Sequence, residues 1–263
     1  PRGARSARTW GLRAGRVTLP GESQERQVLS RGAHAPEEPV IRPIVFVHGT
    51  RTSSAIWQHQ LDALTRSGHP TLALDLPGHG ARAHERFTLE GAIRAIDDAV
   101  ASFAVAPLLV GLSLGGYASL AYARRNEHKL AGVVLAGCST EIKGKPLLAY
   151  RSASGAVTRA LRIGGGTWHV VQDMLSAMSG YSPLADLRRV RLPVWVVNGA
   201  RDPLRLDERR YLTARPGTRL RVVPRAGHDV NSHAPVAFNR LLLDALHELR
   251  VLDRPALAPA VVL

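Results

Sequence analysis

The sequence predicts an α/β protein: a mostly parallel sheet covered by helices on both faces. Three observations lead there. Runs such as Ile44-Val45-Phe46-Val47 and Val194-Trp195-Val196-Val197 are apolar throughout, which suits strands buried on both sides. They alternate with stretches of helical periodicity, the signature of parallel pairing through crossover helices. Polar residues with chemical potential (Thr50, Ser113, Asp202 and His228) fall just past the ends of such runs, where parallel sheets gather their sites.

At 263 residues and 45% hydrophobic content the chain can bury a large core. No apolar run approaches the roughly 18 residues of a membrane span. The basic start, Pro1 to Arg16, has no apolar segment and is not read as a signal peptide; the missing initiator Met leaves an upstream segment open. The formal charge of +14 comes almost wholly from arginine, since Lys129, Lys143 and Lys145 are the lysines. These arginines are spread along the chain, with no dense basic helix and no interleaved aromatics. Specific nucleic-acid binding is therefore not expected, while weak attraction to anionic surfaces at low salt is. Cys138 is the single cysteine, so no intrachain disulfide forms and a cytoplasmic location is expected.

Residues 1–15 read as a loose arm. Arg16-Val17-Thr18-Leu19 and Arg26-Gln27-Val28-Leu29 read as strands about the turn composition Pro20-Gly21-Glu22-Ser23. The strand over residues 43–47 ends at His48-Gly49-Thr50-Arg51. Ser53 or Ser54 is expected to cap the next helix, which carries Trp57, Leu61 and Leu64. A strand over 70–74 runs into Asp75-Leu76-Pro77-Gly78-His79-Gly80, and residues 88–104 form a helix with Ile93, Ile96 and Val100 on one face. Further strands are expected at 107–110, 130–136, 194–197 and 220–223. A terminal helix over 235–249 turns Phe238, Leu241, Leu242, Leu246 and Leu249 inward, and 253–263 is a loose tail. No internal repeat is present.

The segment after Ser139 breaks the alternation and is too long for a plain connection. Residues 145–163 and 167–180 read as helices separated by Gly164-Gly165-Gly166, with Val171, Met174, Leu175 and Met178 on one face. A helical lid over the site is expected here, the plainer alternative being surface helices packed on the body. The core is thus assigned to 16–138 and 186–252, and the insertion to 139–185.

Gly111-Leu112-Ser113-Leu114-Gly115 stands between a strand and a helix with small inward residues. That is the setting of a nucleophile elbow, in which a strained serine projects from the sheet edge and side chains at Gly111 or Gly115 would collide with neighbours. The amide of Leu114 lies at a helix start, where an anion is favoured. A serine nucleophile needs a histidine base, and the histidine needs a carboxylate that sets its tautomer. Ser113, Asp202 and His228 supply these in the order acid between nucleophile and base. Asp75 is the main rival acid, with Glu141 and Asp173 behind it.

Together, His48-Gly49, Asp75-Leu76-Pro77-Gly78-His79-Gly80, Gly111-Leu112-Ser113-Leu114-Gly115-Gly116, Asn198-Gly199-Ala200-Arg201-Asp202-Pro203 and Ala226-Gly227-His228 resemble the α/β-hydrolase superfamily over residues 40–138 and 186–249. The resemblance implies an eight-stranded sheet with its second strand antiparallel. It also implies Ser113 as nucleophile, Asp202 as acid, His228 as base, and an oxyanion hole from the N–H groups of Leu114 and Thr50. Arg51 is an alternative second donor. It makes His48 a brace of the oxyanion loop, His79 a brace of its own turn and Asp75 a structural residue. Serine at the elbow argues against dehalogenases and epoxide hydrolases, and Thr50-Arg51 against lipases with extra glycines at the hole. His233 stands where many relatives carry an acid. His59, His69, His84, His128 and His247 are expected on the surface, and His169 in the lid, within possible reach of substrate.

The expected function is a serine hydrolase cleaving an ester, thioester or lactone of a small apolar acyl group, a small-molecule substrate. The alternatives are C–C hydrolysis, perhydrolysis or cyclisation by the same triad, and a ligand-binding receptor with a vestigial one. No cofactor is expected, and no metal site is signalled by His/Cys/Asp spacing.

Overall fold

The computed structural model describes residues 40–144 and 168–253. Six strands form one sheet there: β1 (Ile44–Val47), β2 (Thr71–Leu74), β3 (Leu108–Leu112), β4 (Gly132–Ala136), β5 (Val194–Gly199) and β6 (Arg219–Val223). The order is β2-β1-β3-β4-β5-β6, and every neighbouring pair is parallel. The two strands expected around residue 20 lie outside the described residues, as do the helix at 145–163, the Gly164–Gly166 run and the ends.

The helices are α1 (Gln58–Arg66), α2 (Leu89–Ala101), α3 (Leu114–Arg125), α4 (Trp168–Ala177), α5 (Pro183–Leu187), α6 (Glu208–Ala214), α7 (Val230–His233) and α8 (Pro235–Leu252). They divide the core in two. One layer joins Ile93, Ile96 and Val100 of α2 and Leu120 and Tyr122 of α3 to Val45, Leu109 and Val133 of the sheet. The other joins Leu64 of α1 and Phe238, Leu242, Leu246 and Leu249 of α8 to Phe46, Val110 and Val134. Alternate residues of one strand thus feed opposite layers, so β1, β3, β4 and β5 are buried along their whole length. Each such leucine or valine contributes about 1.5–3 kcal/mol relative to exposure.

Two local expectations are corrected. Ser53 occupies the N-cap of a 3₁₀ turn, Ser54–Trp57, but no side-chain cap bond forms. The Ser54 N–H donates instead to Asp75 Oδ1 at 2.7 Å, so a residue twenty-one positions away caps this turn. His69 is buried, not surface: its Nδ1–H donates to the Arg42 carbonyl at 2.9 Å. Thr88, by contrast, caps α2 by accepting from the Gly91 N–H at 2.9 Å.

Candidate active site

The elbow is built by backbone crowding. Ser113 sits at φ 52°, ψ −116°, in the left-handed half of conformational space that a non-glycine residue enters only under constraint. The constraint comes from two close approaches. A Cβ on Gly111 would lie 2.4 Å from the Gly115 carbonyl oxygen, and one on Gly115 would lie 2.3 Å from that of Val47. α3 therefore starts pressed against the ends of β3 and β1, and Ser113 turns outward between them.

Two further loops meet it. A Cβ on Gly199, at the end of β5, would come within 2.1 Å of the Gly227 carbonyl oxygen, and the Arg201 N–H donates to the Ala226 carbonyl at 2.8 Å. These contacts hold the loop after β5 against the loop after β6. Asp202 and His228 are thereby set side by side: His228 Nδ1–H donates to Asp202 Oδ2 at 3.0 Å. A carboxylate only accepts, so Nε2 is left as the acceptor, and the Ser113 hydroxyl lies 2.9 Å from it. Asp202 is 3% exposed, and its Oδ1 takes the Leu204 N–H at 2.8 Å. Gly137, at φ 59°, lets the chain pass the imidazole; a Cβ there would be 3.3 Å from His228 Nδ1.

The rival carboxylates are engaged elsewhere. Asp75 accepts the Ser54 and Ala81 N–H groups. Burial pushes its carboxyl up, but those bonds outweigh it and hold the group below its usual value. Gly80 leaves room for it, since a Cβ there would sit 2.2 Å from Oδ2. Glu141 binds Ser182 Oγ and the Leu184 N–H, anchoring α5. Asp173 of α4 takes a two-pronged grip from the Arg86 guanidinium.

Around the serine, the His48–Arg51 loop packs closely: a Cβ on Gly49 would be 3.2 Å from Ser113 Cβ. His48 is fully buried. Its Nδ1–H donates to the Gly49 carbonyl at 2.8 Å, and Nε2 accepts the Leu76 N–H at 3.0 Å. Nε2 being an acceptor, its 3.9 Å approach to Asp75 is not an ion pair. Burial, with His79 nearby, lowers the His48 pKa from 6.5 to about 4, against the Gly49 and Asp75 contributions that raise it. The unfolded chain therefore binds a proton here that the folded chain refuses. Stability is full above pH 6.5 and falls as pH drops from 6.5 towards 4, by about 3 kcal/mol at most. Denaturant unfolding at pH 7 and pH 5 checks this: the wild type is expected to lose more than His48→Asn between the two.

Sequence reasoning did not foresee two contacts. Thr50 Oγ1 donates to Met174 Sδ at 3.0 Å, placing α4 beside the loop next to Ser113. His233 Nδ1 accepts the Gly227 N–H at 3.1 Å, bracing the residue before His228. Neither has a local pattern, because each depends on how α4 or α7 folds back. Arg51 is exposed at φ 60°, and Leu114 heads α3, where its N–H has no intrahelical acceptor. Among the described residues no group of His, Cys, Asp and Glu could hold a metal ion.

The alpha/beta hydrolase family model matches residues 44–241, most of the chain. The chain belongs to the α/β-hydrolase family. Among its relatives is a rice (Oryza sativa subsp. indica) protein named probable esterase PIR7A, 41% identical over 100 residues. That match covers 36% of this chain and 38% of the rice protein's length. A pimeloyl-[acyl-carrier protein] methyl ester esterase of Neisseria meningitidis is 28% identical over 258 residues, covering 82% of this chain and 80% of its own. Among solved structures, NosK from Streptomyces actuosus superposes with a TM-score of 0.68 at 21% identity, over 80% of this α/β-hydrolase and 99% of NosK. MenH from S. aureus does so with a TM-score of 0.67 at 18% identity, over 80% and 95%. These likenesses establish the fold.

Proposed function

We propose that this α/β-hydrolase is a serine hydrolase that cleaves an ester, thioester or lactone of a small apolar acyl group. The observation that carries the reading is the unbroken chain from the Ser113 hydroxyl through His228 to Asp202, with links of 2.9 and 3.0 Å and a serine forced out at φ 52°. Ser113 Oγ attacks the carbonyl carbon while His228 Nε2 takes its proton. The carbonyl oxygen becomes an oxyanion in reach of the N–H of Leu114 and that of Thr50, each such donor being worth about 3 kcal/mol of barrier. The C–O or C–S bond then breaks, and His228 gives its proton to the departing alkoxide or thiolate. Water, activated by His228 in turn, attacks the acyl-serine and frees the acid and Ser113.

The Met174 thioether against Thr50 gives the site an apolar neighbour, which favours an uncharged acyl group. The esterase names of the rice and Neisseria relatives support an ester substrate. Of the insertion 139–185, the described residues 139–144 and 168–185 are assigned to the lid, and the described residues within 16–138 and 186–252 to the core. No helix among the described residues is long and apolar enough to cross a membrane, and a cytoplasmic location suits the lone cysteine.

A fluorophosphonate probe tests the reading. The expected result is one stoichiometric adduct, mapped by mass spectrometry to Ser113 and slowed by a p-nitrophenyl ester of a short fatty acid. An unlabelled protein, or an adduct elsewhere, leaves a receptor with an idle site and ends the proposal.

A further inference from the structure

Two segments more than sixty residues apart converge at the amino ends of β4 and β5. Arg124 and Arg125 close α3, and Arg188, Arg189 and Arg191 lie on the link from α5 to β5; all five line one open depression of about 620 Å³. We propose that this depression binds a compact polyanion bearing two or more phosphoryl groups.

The charges there are crowded and incompletely matched. Arg125 reaches Glu90 at 2.7 Å. No carboxylate among the described residues lies within ion-pairing distance of Arg124, Arg188, Arg189 or Arg191. Two acids are close by. Glu127 lines the depression but spends one oxygen on the Arg191 backbone N–H at 3.2 Å. Asp186, half-buried, feels Arg124, Arg125 and Arg189 at longer range. Five guanidiniums against Glu90, Glu127 and Asp186 leave a positive excess. A multivalent anion relieves that repulsion, and guanidinium forks suit phosphoryl oxygens.

The cradle is also held in shape before anything binds. The Arg215 guanidinium donates to the carbonyls of Val190, Arg191 and Leu192 at 2.9, 3.0 and 2.6 Å, pinning the link that carries three of the arginines. A ligand then avoids the entropy of ordering it. No Phe, Tyr or Trp lines the depression, which disfavours single-stranded nucleic acid, whose bases seek stacking partners. The depression is also remote from the serine. α3 separates Ser113 from Arg125 by twelve residues, about 18 Å of helix, so this is not the substrate pocket.

Inorganic tripolyphosphate is the probe, titrated calorimetrically at low salt into the full chain. One ion per chain is expected. The double variant Arg188→Glu, Arg191→Glu is expected to weaken it at least about tenfold, and Arg188→Gln, Arg191→Gln by less. The charge-matched control Arg66→Glu, Arg240→Glu, on exposed positions of α1 and α8 in the opposite layer, is expected to change it less than about threefold. Unchanged circular dichroism and labelling of Ser113 show that each variant is folded, and neither enters the binding readout. Equal weakening by both Glu pairs would mean diffuse attraction to the +14 chain and overturns the proposal. So does the absence of heat at low salt, and so does an oligothymidylate that displaces the tripolyphosphate and binds more tightly.

Discussion

Ser113→Ala is expected to lower kcat for a short p-nitrophenyl ester by about four to six orders of magnitude, while KM moves little. The reasoning is local. Alanine removes the one atom placed 2.9 Å from His228 Nε2 and leaves the Asp202–His228 bond, the loop at Gly49 and the helix start at Leu114 as they are. Binding groups survive and the covalent route disappears. A companion variant separates chemistry from strain. At φ 52°, ψ −116° both serine and alanine are held in a costly conformation that glycine adopts freely, so Ser113→Gly is expected to be more stable than Ser113→Ala by about 1–3 kcal/mol. Both variants are expected to be inactive, and the difference appears only in denaturant unfolding. An alanine variant that keeps its rate within tenfold of the wild type would show that another group attacks.

Much of this arrangement is written locally. The central strands β1, β3, β4 and β5 are short, largely apolar runs, and they coincide with the residues that pair in the sheet because burial on both faces demands that composition. The edge strand β6, by contrast, carries Arg219 and Arg221 and is partly exposed. Gly111, Gly115 and Ser113 are readable for a related reason. An elbow compresses strand, turn and helix into seven residues, so its steric needs fall within one window of sequence. Where the partner lies far along the chain, the signal fades. Asp75 caps the turn at Ser54 although two serines stand closer, because the end of β2 lies beside that turn only once the sheet has formed. His69 looks like a surface histidine in a Gly-containing turn, and its burial depends on the Arg42 carbonyl arriving from before β1. The arginine-lined depression is the extreme case. Arginines 124 and 191 are scattered in sequence and become neighbours only because α3 and the link into β5 end at the same edge of the sheet.

Asp202→Asn is expected to cost about 10⁴-fold in kcat with the fold intact, and the reason lies in a neighbour that takes no part in the reaction. Asp202 Oδ1 accepts the Leu204 N–H at 2.8 Å, while Oδ2 accepts from His228 Nδ1 at 3.0 Å. An asparagine must present one oxygen and one NH2 to these two positions. Turning the NH2 towards Leu204 would set two donors face to face at a site only 3% exposed, where water cannot relieve them. The amide oxygen therefore stays with Leu204, and the NH2 faces the imidazole. Nδ1 must then accept, which moves the ring proton to Nε2, the nitrogen that faces Ser113 Oγ. A protonated Nε2 cannot take the hydroxyl proton, so the serine stays weakly nucleophilic although every heavy atom keeps its place. Steady-state kinetics on the p-nitrophenyl ester, with a crystal structure of the variant, checks both halves of the argument: a collapse in kcat and an asparagine oxygen bonded to Leu204. Retention of activity within tenfold would mean that His228 takes its working tautomer from some group other than Asp202.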